Sequence, residues 1–97
     1  MEELKKLVKN HALGNPVRLG VMVFLLPRRK ALFKDLLKVL EVTPGNLDFH
    51  LKILEKEGYI RIYKVFAGRP RTIVEATDDG ITKTRQFLRI LRALVSE

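Results

Sequence analysis

Residues 43–60 read TPGNLDFHLKILEKEGYI, and the fold turns on this stretch. Thr43-Pro44 is a helix start. A threonine hydroxyl accepts an orphan backbone N–H of the first turn, and proline fits the first helical position because the missing N–H has no partner there. The helix is expected to continue to about Glu57, where Gly58 supplies the left-handed residue that closes it. At about 100° per residue, Leu47, His50, Leu51 and Leu54 share one face and form the inner side. Gly45, Phe49, Lys52 and Lys56 lie opposite, with Asn46 and Asp48 toward the flanks. Beyond Gly58 the apolar period changes from 3.6 to 2. Tyr59 to Phe66 reads as a strand with Ile60 and Ile62 on one face and Arg61 and Tyr63 on the other. Ala67-Gly68-Arg69-Pro70 is a turn, and Arg71 to Ala76 is the returning strand.

Working outward, a helix from about Phe33 to Glu41 precedes the tight turn at Thr43, with Phe33, Leu36, Leu37 and Leu40 pointing inward. Ala31-Leu32 reads as a very short strand before it, and Arg28, Arg29 and Lys30 form a basic turn. Asn15 as N-cap and Pro16 at the first position begin a helix running to Leu26, where Pro27 is expected to stop it. Apart from Arg18 that helix is apolar almost all round, so it belongs at the buried centre. The first helix spans about Glu2 to Leu13 and ends at Gly14. Thr77 caps the last helix, with Asp78 and Asp79 in a first turn whose dipole favours acids. The class is α+β, mainly α, in the order helix, helix, short strand, helix, helix, β-hairpin, helix. Two helices joined by a tight turn and followed by a hairpin make a winged helix-turn-helix.

Length and composition narrow the function. The 97 residues suffice for one compact core, and we expect one winged-helix domain over residues 1–97. The longest apolar run, Val21 to Leu26, falls far short of the roughly 20 residues that cross a bilayer. The opening MEELKKLVKN has no apolar signal region, so a cytoplasmic protein without membrane association is expected. The absence of cysteine removes disulfides, thiolate metal sites and thiol chemistry. Ser96 stands alone as a serine at the C-terminal end and no glycine-rich phosphate loop occurs, so we expect no enzyme, catalytic residue, metal or cofactor. A net charge of +8 on so small a body attracts polyanions, of which nucleic acid is the commonest intracellular one.

An ordered set of fragments resembles winged-helix transcriptional regulators of the MarR and ArsR type, and more narrowly the small single-domain winged-helix proteins of bacteria and archaea. The fragments are Asn15-Pro16-Val17-Arg18-Leu19, Phe33-x-x-Leu36, Gly45-Asn46-Leu47-x-x-His50-Leu51-x-x-Leu54-x-x-x-Gly58-Tyr59-Ile60, Gly68-Arg69-Pro70-Arg71-Thr72 and Ala76-Thr77-Asp78-Asp79-Gly80. Each alone is weak; their order over about residues 15 to 92 carries the likeness. The resemblance implies a dimer that sets its third and fourth helices against the major groove and its wing near the minor groove. The chain departs from the pattern at Gly14, where members often carry histidine, and it lacks the cysteines of ArsR metal sensors.

On these grounds the partner is double-stranded DNA. Thr43, Gly45, Asn46, Asp48, Phe49, Lys52 and Lys56 on the fourth helix form the reading surface. Asn pairs with adenine, Phe packs on a thymine methyl, and Lys reaches guanine or phosphate. Asp48 accepts from cytosine or pairs with Lys52. Lys64, Arg69 and Arg71 on the wing suit a narrow minor groove, and Arg28, Arg29 and Lys30 suit phosphates. The competing readings are a solvated lysine face, a hairpin tip kept soluble by charge, and a basic turn that touches nothing. His50 fits a hydrogen-bonded core histidine, and Arg18 is expected to meet a carboxylate.

The last helix has an apolar arc too wide for one contact, which points to a homodimer through residues 1–13 and 78–97. The interface candidates are Leu4, Leu7, Val8, Phe87, Ile90, Leu91 and Leu94. The alternative function is a protein-interaction module on the same fold, motivated by Phe49 and Asp48 on the outer face.

Overall fold

The computed structural model describes residues 2–96, apart from the side chains of Val8 and Asn10. The elements are α1 (Glu2–Asn10), α2 (Pro16–Arg28), β1 (Lys30–Leu32), α3 (Phe33–Leu40), α4 (Pro44–Lys56), β2 (Ile60–Phe66), β3 (Pro70–Ala76) and α5 (Asp78–Val95). The expected winged helix-turn-helix is therefore present. Three antiparallel strands lie in the order β1-β3-β2, with Lys30 opposite Glu75 and Ile60 opposite Ala76 at one end and Phe66 opposite Pro70 at the other.

α2 is the centre of the molecule and touches α3, α4, α5, β1 and β3. Its Val21, Met22 and Leu25 are fully enclosed with Leu36 of α3, Leu47, Leu51 and Leu54 of α4, and Val74 of β3. The three-residue turn from Leu40 to Pro44 is possible because Glu41 adopts the left-handed conformation (φ 53°) and sends its N–H to the Leu37 carbonyl.

Two helix ends differ from the sequence reading. α1 stops at Asn10, not Leu13. The Nδ1 of His11 accepts the Leu13 N–H at 3.0 Å, and such a local side-chain bond competes with another helical turn. Pro27 does not stop α2 either, and the helix runs on to Arg28. The bond a proline at 27 removes is the one to the Val23 carbonyl, and Val23 is 45% exposed, so the loss falls on the solvent side of the helix rather than in the core. Arg29 ends the helix with φ 72°, its N–H bonded to the Leu25 carbonyl.

Candidate nucleic-acid interface

α4 is held by its start and its inner face. Thr43 Oγ1 accepts the Asn46 N–H at 3.2 Å, so this hydroxyl serves the cap. Leu47, His50, Leu51 and Leu54 are buried. His50 Nδ1 accepts from Arg18 Nη1 at 2.8 Å, and Arg18 Nε donates to the Ala12 carbonyl at 2.6 Å. Arg18 thus meets a carbonyl and an imidazole, not the expected carboxylate. A guanidinium only donates, so His50 is the neutral tautomer with its proton on Nε2. Burial, then the Arg18 charge, holds the His50 pKa below the usual histidine value.

With that side anchored, Asn46, Asp48, Phe49, Lys52 and Lys56 all face outward on one exposed surface. Phe49 is 61% exposed, its ring edge-to-face with His50 at 5.1 Å. A Cβ on Gly45 would meet open space, so the first turn of α4 presents bare backbone. Asp48 and Lys52 form no ion pair among the described residues.

The wing is stiffened at its base. Glu75 Oε1 accepts from Tyr63 Oη at 2.8 Å and from Arg61 Nη2 at 2.9 Å, tying β2 to β3. The Tyr63 bond first, and then Arg61, hold the Glu75 carboxyl below its ordinary range against the opposing effect of burial; the same bond raises Tyr63. At the tip, Gly68 takes φ 81°, which a side chain would resist. Lys64, Phe66 and Arg69 are exposed there, Phe66 at 79%. Arg71 behaves differently: it is half-buried, and its Nε is enclosed without a hydrogen-bond partner. It lines a cleft of about 430 Å³ between the wing and the start of α3, together with Arg69 and Lys34.

The basic turn at 28–30 lies apart from this surface. Lys30 pairs with Glu75, which pairs with Arg61 near the foot of the hairpin. Five residue steps along β2, about 17 Å, separate that point from the tip at Phe66. Arg29 ion-pairs with Asp78 at 2.8 Å and with Glu75 at 4.0 Å, and Arg28 lies 3.9 Å over the Phe24 ring with Nη1 donating to the Phe24 carbonyl. Both arginines make contacts within the chain: Arg29 ties the end of α2 to the start of α5, and Arg28 folds back on α2 itself. Arg28 and Arg29, expected at phosphates, therefore each have a guanidinium nitrogen engaged within the chain, while Arg28 stays exposed. Lys30 is exposed but sits at the same distant end.

The expected interface residues divide likewise. Leu7 and Phe87 are buried in the chain's own core, Phe87 against the His11 ring at 4.5 Å, so they offer no free surface. Leu91 and Leu94 are half-buried against the same core, and the side chain of Val8 lies outside the described ones. Leu4, Ile90 and Val95 remain exposed, Val95 being unanticipated.

Lys34 and Phe66 are the candidate residues that sequence reasoning missed. The pairing of Leu32 with Ile73 brings Lys34 toward Arg71, and a register of that kind is invisible to periodicity. Phe66 carried a signal in its place at the strand end beside a glycine turn. Among the described residues no cluster of three His, Cys, Asp or Glu that could hold a metal ion occurs, and no helix is long and apolar enough to cross a membrane.

Comparison with known proteins agrees with this geometry and with the MarR/ArsR-type resemblance. The winged helix DNA-binding domain family matches residues 17–95. An uncharacterized protein of Methanocaldococcus jannaschii is 33% identical over 73 residues, covering 74% of this chain and 79% of that protein. The structure of a transcriptional regulator homologue from Pyrococcus horikoshii OT3 superposes with a TM-score of 0.91 at 57% identity, covering 99% of this chain and 96% of that one. MepR, a transcription regulator of the Staphylococcus aureus multidrug efflux pump MepA, shares the fold at 23% identity and a TM-score of 0.72, covering 98% of this chain and 76% of its own. The chain thus belongs to the winged helix DNA-binding domain family and is a DNA-binding regulator, not an enzyme.

Proposed function

We propose that the protein is a sequence-specific, double-stranded-DNA-binding transcriptional regulator that acts as a homodimer, with α4 in the major groove and the wing beside it. The supporting observation is the two-sidedness of α4. Leucines and the Arg18–His50 bond hold its inner side, while Asn46, Asp48, Phe49 and Lys52 stand free on the other. Asparagine, carboxylate and phenyl groups discriminate bases where lysine alone grips phosphate. The terminal segments 1–13 and 78–97 pair the two copies, and the protein works in the cytoplasm without a cofactor.

Selection of bound duplexes from a random pool tests this reading. We expect an imperfect inverted repeat with half-sites about 10 base pairs apart, centre to centre. Equal binding to all fragments at moderate salt would sink the specific-regulator reading. A second reading, a protein-interaction module on the same fold, draws on the exposed phenyl rings of Phe49 and Phe66. It predicts capture of a protein partner that survives nuclease treatment, with no gel shift of duplex DNA.

A further inference from the structure

We propose that the cleft between the wing and α3 is a phosphate seat, in which Arg71 and Lys34 hold one phosphate group between them. In the bound state that phosphate is one of the DNA backbone, and in this respect the inference rests on the DNA-binding reading. It assigns the two wing arginines different work. Arg69, exposed at the tip, is left for the groove, and Arg71 grips the backbone from within the cleft.

The cleft brings the side chains of Lys34, Arg69 and Arg71 around one hollow, and no acid lines it. Leu32, Phe33 and Pro70 supply apolar wall. Like charges gathered against low-dielectric walls focus a positive potential that an anion relieves. A volume of about 430 Å³ falls at the small end of the usual ligand-pocket range, enough for a phosphodiester with part of its sugar.

Arg71 is also short of a partner. Arg18, Arg28, Arg29 and Arg61 each donate to an acceptor in the chain. The Nε atoms of Arg29 and Arg71 are both shut away from solvent without a hydrogen-bond acceptor, but Arg29 has Asp78 on its Nη1, whereas Arg71 has no such ion pair among the described residues. A buried donor without an acceptor is costly, so this guanidinium has a hydrogen bond to gain when a small rotation turns its Nε–H edge to a ligand. A fork of Nε–H and Nη–H matches two oxygens of a phosphate, and the lysine ammonium takes a third as a point charge. Neither member was placed there by local sequence. The antiparallel pairing of β1 with β3 puts Lys34, just past β1, beside the first residues of β3.

The test follows the arginine Nε–H resonances of ¹⁵N-labelled protein during titration with inorganic phosphate, with sodium chloride at equal ionic strength as control. We expect the Arg71 signal to move with phosphate alone, the Arg28 signal to stay, and Lys34→Gln to abolish the response. In parallel, the salt dependence of binding to a random-sequence duplex is measured for wild type, Arg71→Gln, Lys34→Gln and the double variant, each first checked for an unchanged melting temperature. One lost phosphate contact lowers the slope of log K against log salt by about 0.9. Because both side chains serve one phosphate, the double variant is expected to lose about 0.9 in total, not about 1.8. A phosphate response with unaltered DNA slopes still supports the seat and makes free phosphate its occupant. An Arg71 signal indifferent to phosphate, or additive slope losses, overturns the proposal. Complete failure to bind DNA together with a phosphate response removes the function proposed above and leaves the seat standing.

Discussion

A Cβ on Gly80 would overlap the carbonyl group of Tyr59, so α5 lies against the start of β2 more closely than any side chain permits. Gly80→Ala must push these elements apart, and overpacking of this kind costs about 1–3 kcal/mol. At roughly 4–8 °C per kcal/mol for a domain of this size, a calorimetric scan should show a clear drop in Tm. His50 makes a pH prediction. Its pKa is lowered in the folded chain, and that of His11 is lowered too, by burial and then by Lys83. The unfolded chain therefore takes up protons first as pH falls. The stability these neutral rings contribute is full above the unfolded histidine value of about 6.5 and is lost as pH drops through the lower folded values. Denaturant midpoints measured from pH 8 to pH 5 should fall across that window, with less of a fall in His50→Gln. A midpoint that rises on acidification contradicts the assignment.

Among the elements, α4 shows how a cap serves function. The Thr43 hydroxyl fixes the N–H of Asn46, so it orders the same turn that presents Asn46 outward. Thr43→Ala should cost about 1 kcal/mol of stability and weaken DNA binding, whereas Thr43→Ser retains both. Equal DNA affinities for the two variants in a gel shift would separate the cap from the reading surface. The helices were legible because their cues are local: caps at Asn15, Thr43 and Thr77 each accept the backbone N–H groups that the sequence implied. The errors fell at the ends of α1 and α2. There a histidine ring satisfied a backbone donor, and the helix ran one residue past a proline placed near its end, neither of which follows from pattern alone.

For the whole molecule, the radius of gyration is 14.1 Å, against about 12.5 Å for a compact domain of 97 residues. The extents of 52 × 25 × 22 Å show an elongated body, and exposed Leu4, Ile90 and Val95 all belong to its two terminal helices. In the proposed homodimer, a second copy would cover them. Ile90→Glu should convert a sedimenting dimer to a monomer with little loss of helicity, because Ile90 is 45% exposed and contributes little to its own core. Each copy carries +8, and Arg85, Arg89 and Arg92 lie along α5, so added salt should tighten the dimer while it weakens DNA binding. A wild-type chain that sediments as a monomer at high concentration and high salt removes the dimer.

The order of elements, the inner leucines of α4, the three caps and the cationic character of the wing were all settled by the sequence, since each depends on residues a few positions apart. Only the tertiary structure decided how charges far apart in sequence were used. Folding spent Arg18 on His50 and Ala12, spent Arg29 on Asp78, and drew Leu7 and Phe87 into the core. Folding also left Arg71 without an acceptor beside Lys34. The physical reason is range: helix periodicity and capping act within a turn or two of chain. Which cation finds an acid, and which stays free for a phosphate, depends on a strand register that brings residues 34 and 71 together.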